Sequence, residues 1–156
     1  MLSKLFIDNY KCLANCFLEL KSINLFAGPN SSGKSSVLQA LLTASDNVSE
    51  NRGTHGLKNY RTEASSFNDV RNFITNAKSY EISLGCEKYE PTVLRFIPGD
   101  DSYQTTIVEQ LNDVSPILLN IFQTENLLYL PATRPGGTYI QAINTASDNK
   151  MGRNGE

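Results

Sequence analysis

The spacing of apolar residues changes several times along the chain, and each change marks an element. Leu5 and Ile7 fall on one side of residues 2–9, a period-2 pattern that predicts a strand. Across residues 14–20, Ala14, Cys16, Leu18 and Leu20 alternate with Asn15, Phe17 and Glu19. That predicts a second strand, joined to the first by a short turn near Tyr10 and Lys11. Ile23 to Ala27 is apolar except for Asn24 and stops at Gly28-Pro29, and so reads as a third strand buried on both faces. From Ser35 onward the period lengthens. Val37 pairs with Leu41, and Leu38 with Leu42, at the i to i+4 spacing, predicting an amphipathic helix to about Ala44.

Residues 46–79 are rich in Asn and Ser and read mostly as loop, with Phe67, Val70, Phe73 and Ile74 giving one short helical pattern. A loop this long inside a compact domain more often carries function than merely connects. Alternation returns at residues 80–86, 92–97 and 103–108, punctuated by Pro91 and Pro98-Gly99, which predicts an antiparallel meander. Ser115-Pro116 is a capping residue followed by proline at the first helical position, leading into a helix over Ile117 to Phe122. Leu127 to Leu130 reads as a buried strand, and the Gly-, Asn- and Thr-rich residues 135–156 predict no element. No internal repeat is evident.

A chain of 156 residues supports one hydrophobic core, so residues 1–156 are expected to form one domain and not two. The formal charge is −2, which announces neither nucleic acid nor an anionic membrane as the main partner and leaves room only for a local basic patch. With 40% apolar and 19% charged residues, the composition is that of a globular protein. No signal-peptide core and no run of about 20 apolar residues occurs, so a cytosolic protein without a membrane partner is expected. Cys12, Cys16 and Cys86 are an odd number and are expected to be reduced thiols, Cys16 and Cys86 on apolar strand faces. Together with the single His55 and without any CxxC pair, they make a poor zinc set.

The chemistry is concentrated in Gly28-Pro29-Asn30-Ser31-Ser32-Gly33-Lys34-Ser35, which fits GxxxxGKS, the P-loop or Walker A pattern. Average residue usage would produce this string by accident in roughly one chain of this length in two hundred. Here it also lies between the expected buried strand Ile23 to Ala27 and an amphipathic helix, the context the motif requires. Gly28 and Gly33 let the backbone curl so that successive N–H groups face phosphate oxygens at a positive helix end. Lys34 supplies a full charge to the β- and γ-phosphates, Ser35 a hard oxygen for Mg2+, and Ser36 continues the same nucleotide-binding turn. A glycine-rich turn that binds nothing has little reason to carry lysine and serine at these places.

Around this motif the sequence resembles the ABC-type ATPases of the SMC, RecF and OLD (overcoming lysogenisation defect) kind, especially the AAA-type ATPases of bacterial defence systems. The likeness runs from "NYK" through "INLFAGPNSSGKSSVLQALL", "SSFNDVRNFI" and "LLYLPATRPGG" to "MGRNGE". It implies an α/β fold, the N-terminal lobe of an ABC ATPase-like P-loop NTPase with an antiparallel β subdomain, and ATP with Mg2+ as ligands. It also implies that Lys11 lies beside the nucleotide, and that Arg134, where relatives carry a Q-loop glutamine, meets phosphate or an acidic group of a partner. No apolar strand ending in Asp-Glu, no LSGGQ-like signature and no switch histidine accompanies the motif. The resemblance therefore implies an incomplete ATPase completed by further sequence or a second chain, with an exposed apolar strand edge, in DNA-linked or antiphage work with DNA or an effector nuclease.

Two other function classes compete with this one. A regulatory or interaction module that holds ATP without turning it over fits the same loop. A small P-loop kinase or GTPase fits less well, because no NKxD string and no arginine-rich lid are present.

Overall fold

Alternation at Leu5 and Ile7 produces the strand β1 (Leu2–Asp8) that it predicts, and β2 (Cys16–Glu19) follows from the alternation around Cys16. A computed structural model describes residues 1–49, 66–123 and 126–127. After β2 come α1 (Lys34–Ser49), α2 (Phe67–Val70), β3 (Tyr80–Cys86), β4 (Thr92–Pro98), β5 (Thr106–Gln110) and α3 (Pro116–Phe122). The strands form one antiparallel sheet in the order β2-β1-β3-β4-β5.

Period 2 divides the sheet into two faces. Leu5, Ile7, Ile82, Leu84, Leu94, Phe96 and Val108 point inward and are buried. Lys4, Glu19, Glu81, Arg95 and Glu109 occupy the alternate positions, paired as Lys4 with Glu19, Glu81 with Arg95, and Arg95 with Glu109. Arg95 Nε donates to Glu81 Oε1 at 2.7 Å. Such an exposed pair contributes about 0.2–1 kcal/mol, against about 1.5–3 kcal/mol for each buried large apolar side chain, so the inward face holds the layers together.

Helix α1 packs on β3 and on α3. Its buried stripe is Val37, Ala40, Ala44 and Val48, with Leu42 also buried. The expected partner of Leu42, Leu38, is instead 44% exposed. The helix also continues past Ala44 to Ser49, so the first residues of the expected 46–79 loop are helical; residues 50–65 lie outside those described.

Short helix α2 begins with the Ser66 backbone N–H donating to Asp69 Oδ2 at 2.7 Å, and it delivers Phe67 and Val70 to the core. Phe67 stacks on Tyr80 at 5.6 Å, Tyr80 on Phe96 at 4.5 Å, and Tyr10 meets Tyr80 edge-on at 5.3 Å. Burial, partly offset by the nearby Thr43 hydroxyl, pushes the Tyr10 phenol up to about 12. Tyr80 moves in the same direction, through burial and the neighbouring Tyr10. Helix α3 begins as expected, with Ser115 Oγ accepting from the Leu118 N–H.

Three expectations are corrected. Ile23 to Ala27 is not a strand and pairs with no strand among the described residues; Ile23 is 90% and Leu25 89% exposed. After β2 the chain leaves the sheet through a turn in which the Lys21 N–H donates to Asn24 Oδ1 at 2.9 Å and Asn24 Nδ2 to the Lys21 carbonyl at 2.8 Å. An apolar run becomes a doubly buried strand only where neighbours flank it, and the described residues supply none. Phe73 and Ile74 do not extend α2, and Ile74 is 92% exposed. The Asn72 side chain takes the N–H groups of Ile74 and Thr75 at 2.9 and 3.2 Å, diverting them from helical acceptors. The last strand of the meander starts at Thr106 and not at 103, because Tyr103 sits in a turn with φ 60°. The expected strand Leu127 to Leu130 lies outside the described residues after Leu127, as do residues 135–156.

All three cysteines are free, with Cys86 buried, Cys16 partly so and Cys12 exposed. Burial pushes the Cys16 and Cys86 thiols up. Among the described residues no group of three or more Cys, His, Asp or Glu could hold a metal, and no helix is long and apolar enough to cross a membrane.

Candidate functional site

Between the exposed Ile23–Ala27 segment and α1, residues 28–33 turn sharply. Gly28 has φ +153°, Gly33 φ +91° and Ser31 φ 62°, so the curl passes through backbone space that side chains rarely enter. At Gly33 an added Cβ would lie 3.0 Å from Cys12 Sγ and 3.2 Å from Leu13 Cδ2. The torsion favours glycine there, and an added side chain would also press on Cys12 and Leu13.

Helix α1 starts at once, with the Val37 N–H donating to the Gly33 carbonyl at 3.1 Å. The N–H groups of its first turn have no acceptor inside the helix, and that turn carries Lys34 and no acidic residue. Partial positive charge from the backbone and the full charge of Lys34 therefore coincide. Lys34 Nζ folds back over the loop, donating to the Gly28 carbonyl at 2.9 Å, the Pro29 carbonyl at 2.5 Å and Ser32 Oγ at 3.3 Å. Ser31, Ser32, Gly33, Lys34, Ser35, Ser36 and Cys12 line a half-open recess of about 130 Å³.

The β1–β2 turn forms the other wall. It is closed by hydrogen bonds between Tyr10 and Leu13 in both directions, at 3.0 and 2.8 Å. Its Cys12 thiol donates to Ser36 Oγ at 3.7 Å. Lys11, with φ 51°, donates its backbone N–H to the Val70 carbonyl at 2.6 Å and its ammonium to Gln39 Oε1 at 2.7 Å. The Asn72 N–H reaches the Asn9 carbonyl at 2.9 Å. Residues 70–72, from the "SSFNDVRNFI" segment, thus hold the turn against the start of α1.

The sequence-predicted residues divide accordingly. Ser31 to Ser36 line the recess, Gly28 and Pro29 supply carbonyls to Lys34, and Asn30 lies exposed in the loop. Lys11 stands outside the recess lining, on Gln39. Arg134 lies outside the described residues. Sequence reasoning missed two members of this arrangement. Gln39 is three and four residues beyond Ser36 and Ser35, a helical spacing that could have singled it out. Cys12 had no local signal, because its contact with Gly33 joins segments far apart in the chain.

A pocket of backbone donors, one ammonium and several hydroxyls at a helix start is suited to an oxyanion such as phosphate. The sequence model of the AAA ATPase domain family matches residues 1–134, and the chain belongs to that family. Membership of an AAA-type ATPase family points to nucleotide binding. No curated protein matches the sequence.

Proposed function

We propose that the chain binds ATP with Mg2+ through Gly28 to Ser36 acting as a Walker A P-loop, as the N-terminal part of an ABC- or OLD-like ATPase. The observation that carries this reading is the Lys34 ammonium, held over the start of α1 by the Gly28 and Pro29 carbonyls. Phosphate oxygens would meet that ammonium and the N–H groups of Gly33 to Ser36. The residues present fit a magnesium nucleotide, since Ser35 offers an exposed hard oxygen at the end of the loop. When bound, Mg2+ would draw charge from the β- and γ-phosphates. Lys11 would add charge from the neighbouring turn, and Arg134 is proposed to meet phosphate or a partner's acidic group. The remainder of the ATPase or a second chain would complete the site. DNA-linked or antiphage work, with DNA or an effector nuclease as partner, rests on the family resemblance alone.

A thermal melt tests this reading. Mg2+-ATP at one hundred times its Kd should stabilise the protein by about 2.7 kcal/mol, and Lys34→Ala should lose most of the shift. Equal shifts in wild type and variant would overturn it.

A second reading, a module that holds ATP without hydrolysis, is favoured by one feature: no apolar run of the sequence ends in Asp-Glu. Bound ATP surviving unhydrolysed over hours would support it, and multiple turnover would exclude it.

A further inference from the structure

Arg71 follows α2, and its guanidinium stands 4.7 Å from the centroid of the Phe73 ring and 5.2 Å from that of Tyr103. Its Nη1 donates to Asn76 Oδ1 at 3.0 Å, and its Nε is buried with no hydrogen-bond partner. Rings and an amide orient a guanidinium without neutralising it. Among the described residues no carboxylate pairs with Arg71, in contrast to Arg95, which Glu81 holds.

Beside this charge the chain turns outward. Phe73 is 64% and Ile74 92% exposed, on a turn closed from within. The buried Asn72 takes the Ile74 and Thr75 N–H groups on its side chain and the Ala77 N–H on its carbonyl at 3.0 Å. Thr75 Oγ1 donates to Asn9 Oδ1 at 2.8 Å. Single exposed apolar side chains are ordinary on a protein surface. Two in succession on a turn pinned at both ends, next to a guanidinium without a counter-charge, are preorganised for contact, because little conformational freedom is left to lose on binding.

We propose that Arg71, Phe73 and Ile74 form a docking site for a protein partner that presents a carboxylate beside an apolar side chain. The guanidinium offers a fork matched to carboxylate oxygens, and Phe73 and Ile74 offer the apolar contact. Arginine beside aromatic residues is also the composition that dominates the energetics of protein interfaces. Nucleic acid fits less well. A phosphate backbone asks for several cations along its path, whereas Asp69 lies two residues before Arg71, and Asp100 and Asp101 belong to the turn that carries Tyr103. A single directed carboxylate is compatible with these acidic neighbours; a chain of phosphates is not. The inference does not depend on the reading of Gly28 to Ser36 as an ATP-binding loop.

The test is an NMR titration of the nitrogen-labelled full chain with a capped peptide carrying Leu-Asp-Leu, beside the same peptide with Asn in place of Asp and beside an oligothymidylate. The Leu-Asp-Leu peptide at millimolar concentration should shift the Arg71 Nε–H and the Phe73 and Ile74 amide resonances in a saturable way. Arg71→Gln should weaken binding at least about tenfold, the scale of one hydrogen bond between charged groups. Ile74→Ser, at a position too exposed to support the fold, should weaken it about fivefold through lost apolar contact, so the proposal stays testable even where Arg71→Gln fails to fold. Binding should also weaken as salt rises. Equal binding of the Asn peptide, shifts confined to other residues, or no shift at all would overturn the proposal. Tighter binding of the oligothymidylate at the same resonances would assign the patch to nucleic acid and overturn it as well.

Discussion

Cys12 Sγ lies 3.0 Å from the point where a Cβ on Gly33 would sit. The β1–β2 turn therefore packs directly on the glycine-rich loop. That contact adds to the strain a side chain at Gly33 would meet from its torsion, and it makes Cys12 a reporter of whatever enters the recess.

Gly33→Ala should destabilise the protein by about 1–3 kcal/mol, the cost of a side chain at a strained torsion. Weaker ATP binding should accompany it, because the curl that aims the N–H groups is disturbed. Shortening the opposing side chain with Cys12→Ala relieves the contact and not the torsion, so the double variant should recover only part of the loss. Urea unfolding of the three variants beside wild type checks this, and full recovery would place the whole cost in the contact.

Cys12 is the exposed thiol of the three, and it faces Ser36 across the recess. Ellman's reagent should therefore label Cys12 most quickly in the native protein, the half-buried Cys16 more slowly and the buried Cys86 only on unfolding. Mg2+-ATP should slow the fast phase, since phosphate oxygens would occupy the space the reagent must enter. A fast phase of more than one thiol, or one indifferent to nucleotide, would contradict this arrangement.

Alkaline pH should weaken the fold through Tyr10. Burial raises its folded-state value to about 12, above the roughly 10 of an exposed tyrosine, so the folded state holds this proton more tightly than the unfolded chain. The stabilisation is fully present below pH 10 and is lost as pH rises from 10 towards 12. Tyr80 shifts in the same sense. Urea midpoints measured from pH 8 to pH 11 should stay level and then fall, and Tyr10→Phe should flatten part of the fall.

The sequence carries no LSGGQ-like signature and no apolar run ending in Asp-Glu, so two copies would have neither to offer to a nucleotide bound by the other. Phosphoryl transfer depends on charge and positioning around the γ-phosphate, and a ligand without differential contacts cannot favour a dimer. The chain alone should thus release phosphate at no enzymatic rate and show no ATP-driven change in light scattering. Turnover abolished by Lys34→Ala would reveal an acidic group supplied by residues not identified above.

Much of this architecture is legible in the residues themselves, for reasons that are local. Period-2 alternation fixes β3 and β4 because each has one wet face, and Ser115-Pro116 marks α3 because cap and proline act within one turn. The glycine-rich loop is legible because its glycines stand where the backbone takes positive φ. Ile23 to Ala27 shows the limit: composition records that a segment would gain by burial and says nothing about whether neighbours are present. Leu38 shows another, since it is exposed although Leu42, one turn along the same stripe, is buried. The clasp of Lys11 and Asn9 on residues 70–72, and of Cys12 on Gly33, joins segments distant in sequence through backbone groups or small contacts that leave no pattern.

The bare segment from Ile23 to Ala27 also bears on the handling of the protein. Among the described residues this run of five without charge or proline pairs with no strand, and Ile23 and Leu25 are nearly fully open to solvent while Phe26 packs partly against the core. An open run of this kind is a template for strand addition between molecules. Lys21 before the run and Gly28-Pro29 after it are the gatekeepers that confine such pairing to a short stretch. Where that run stays uncovered, association should grow with concentration even while every molecule remains folded.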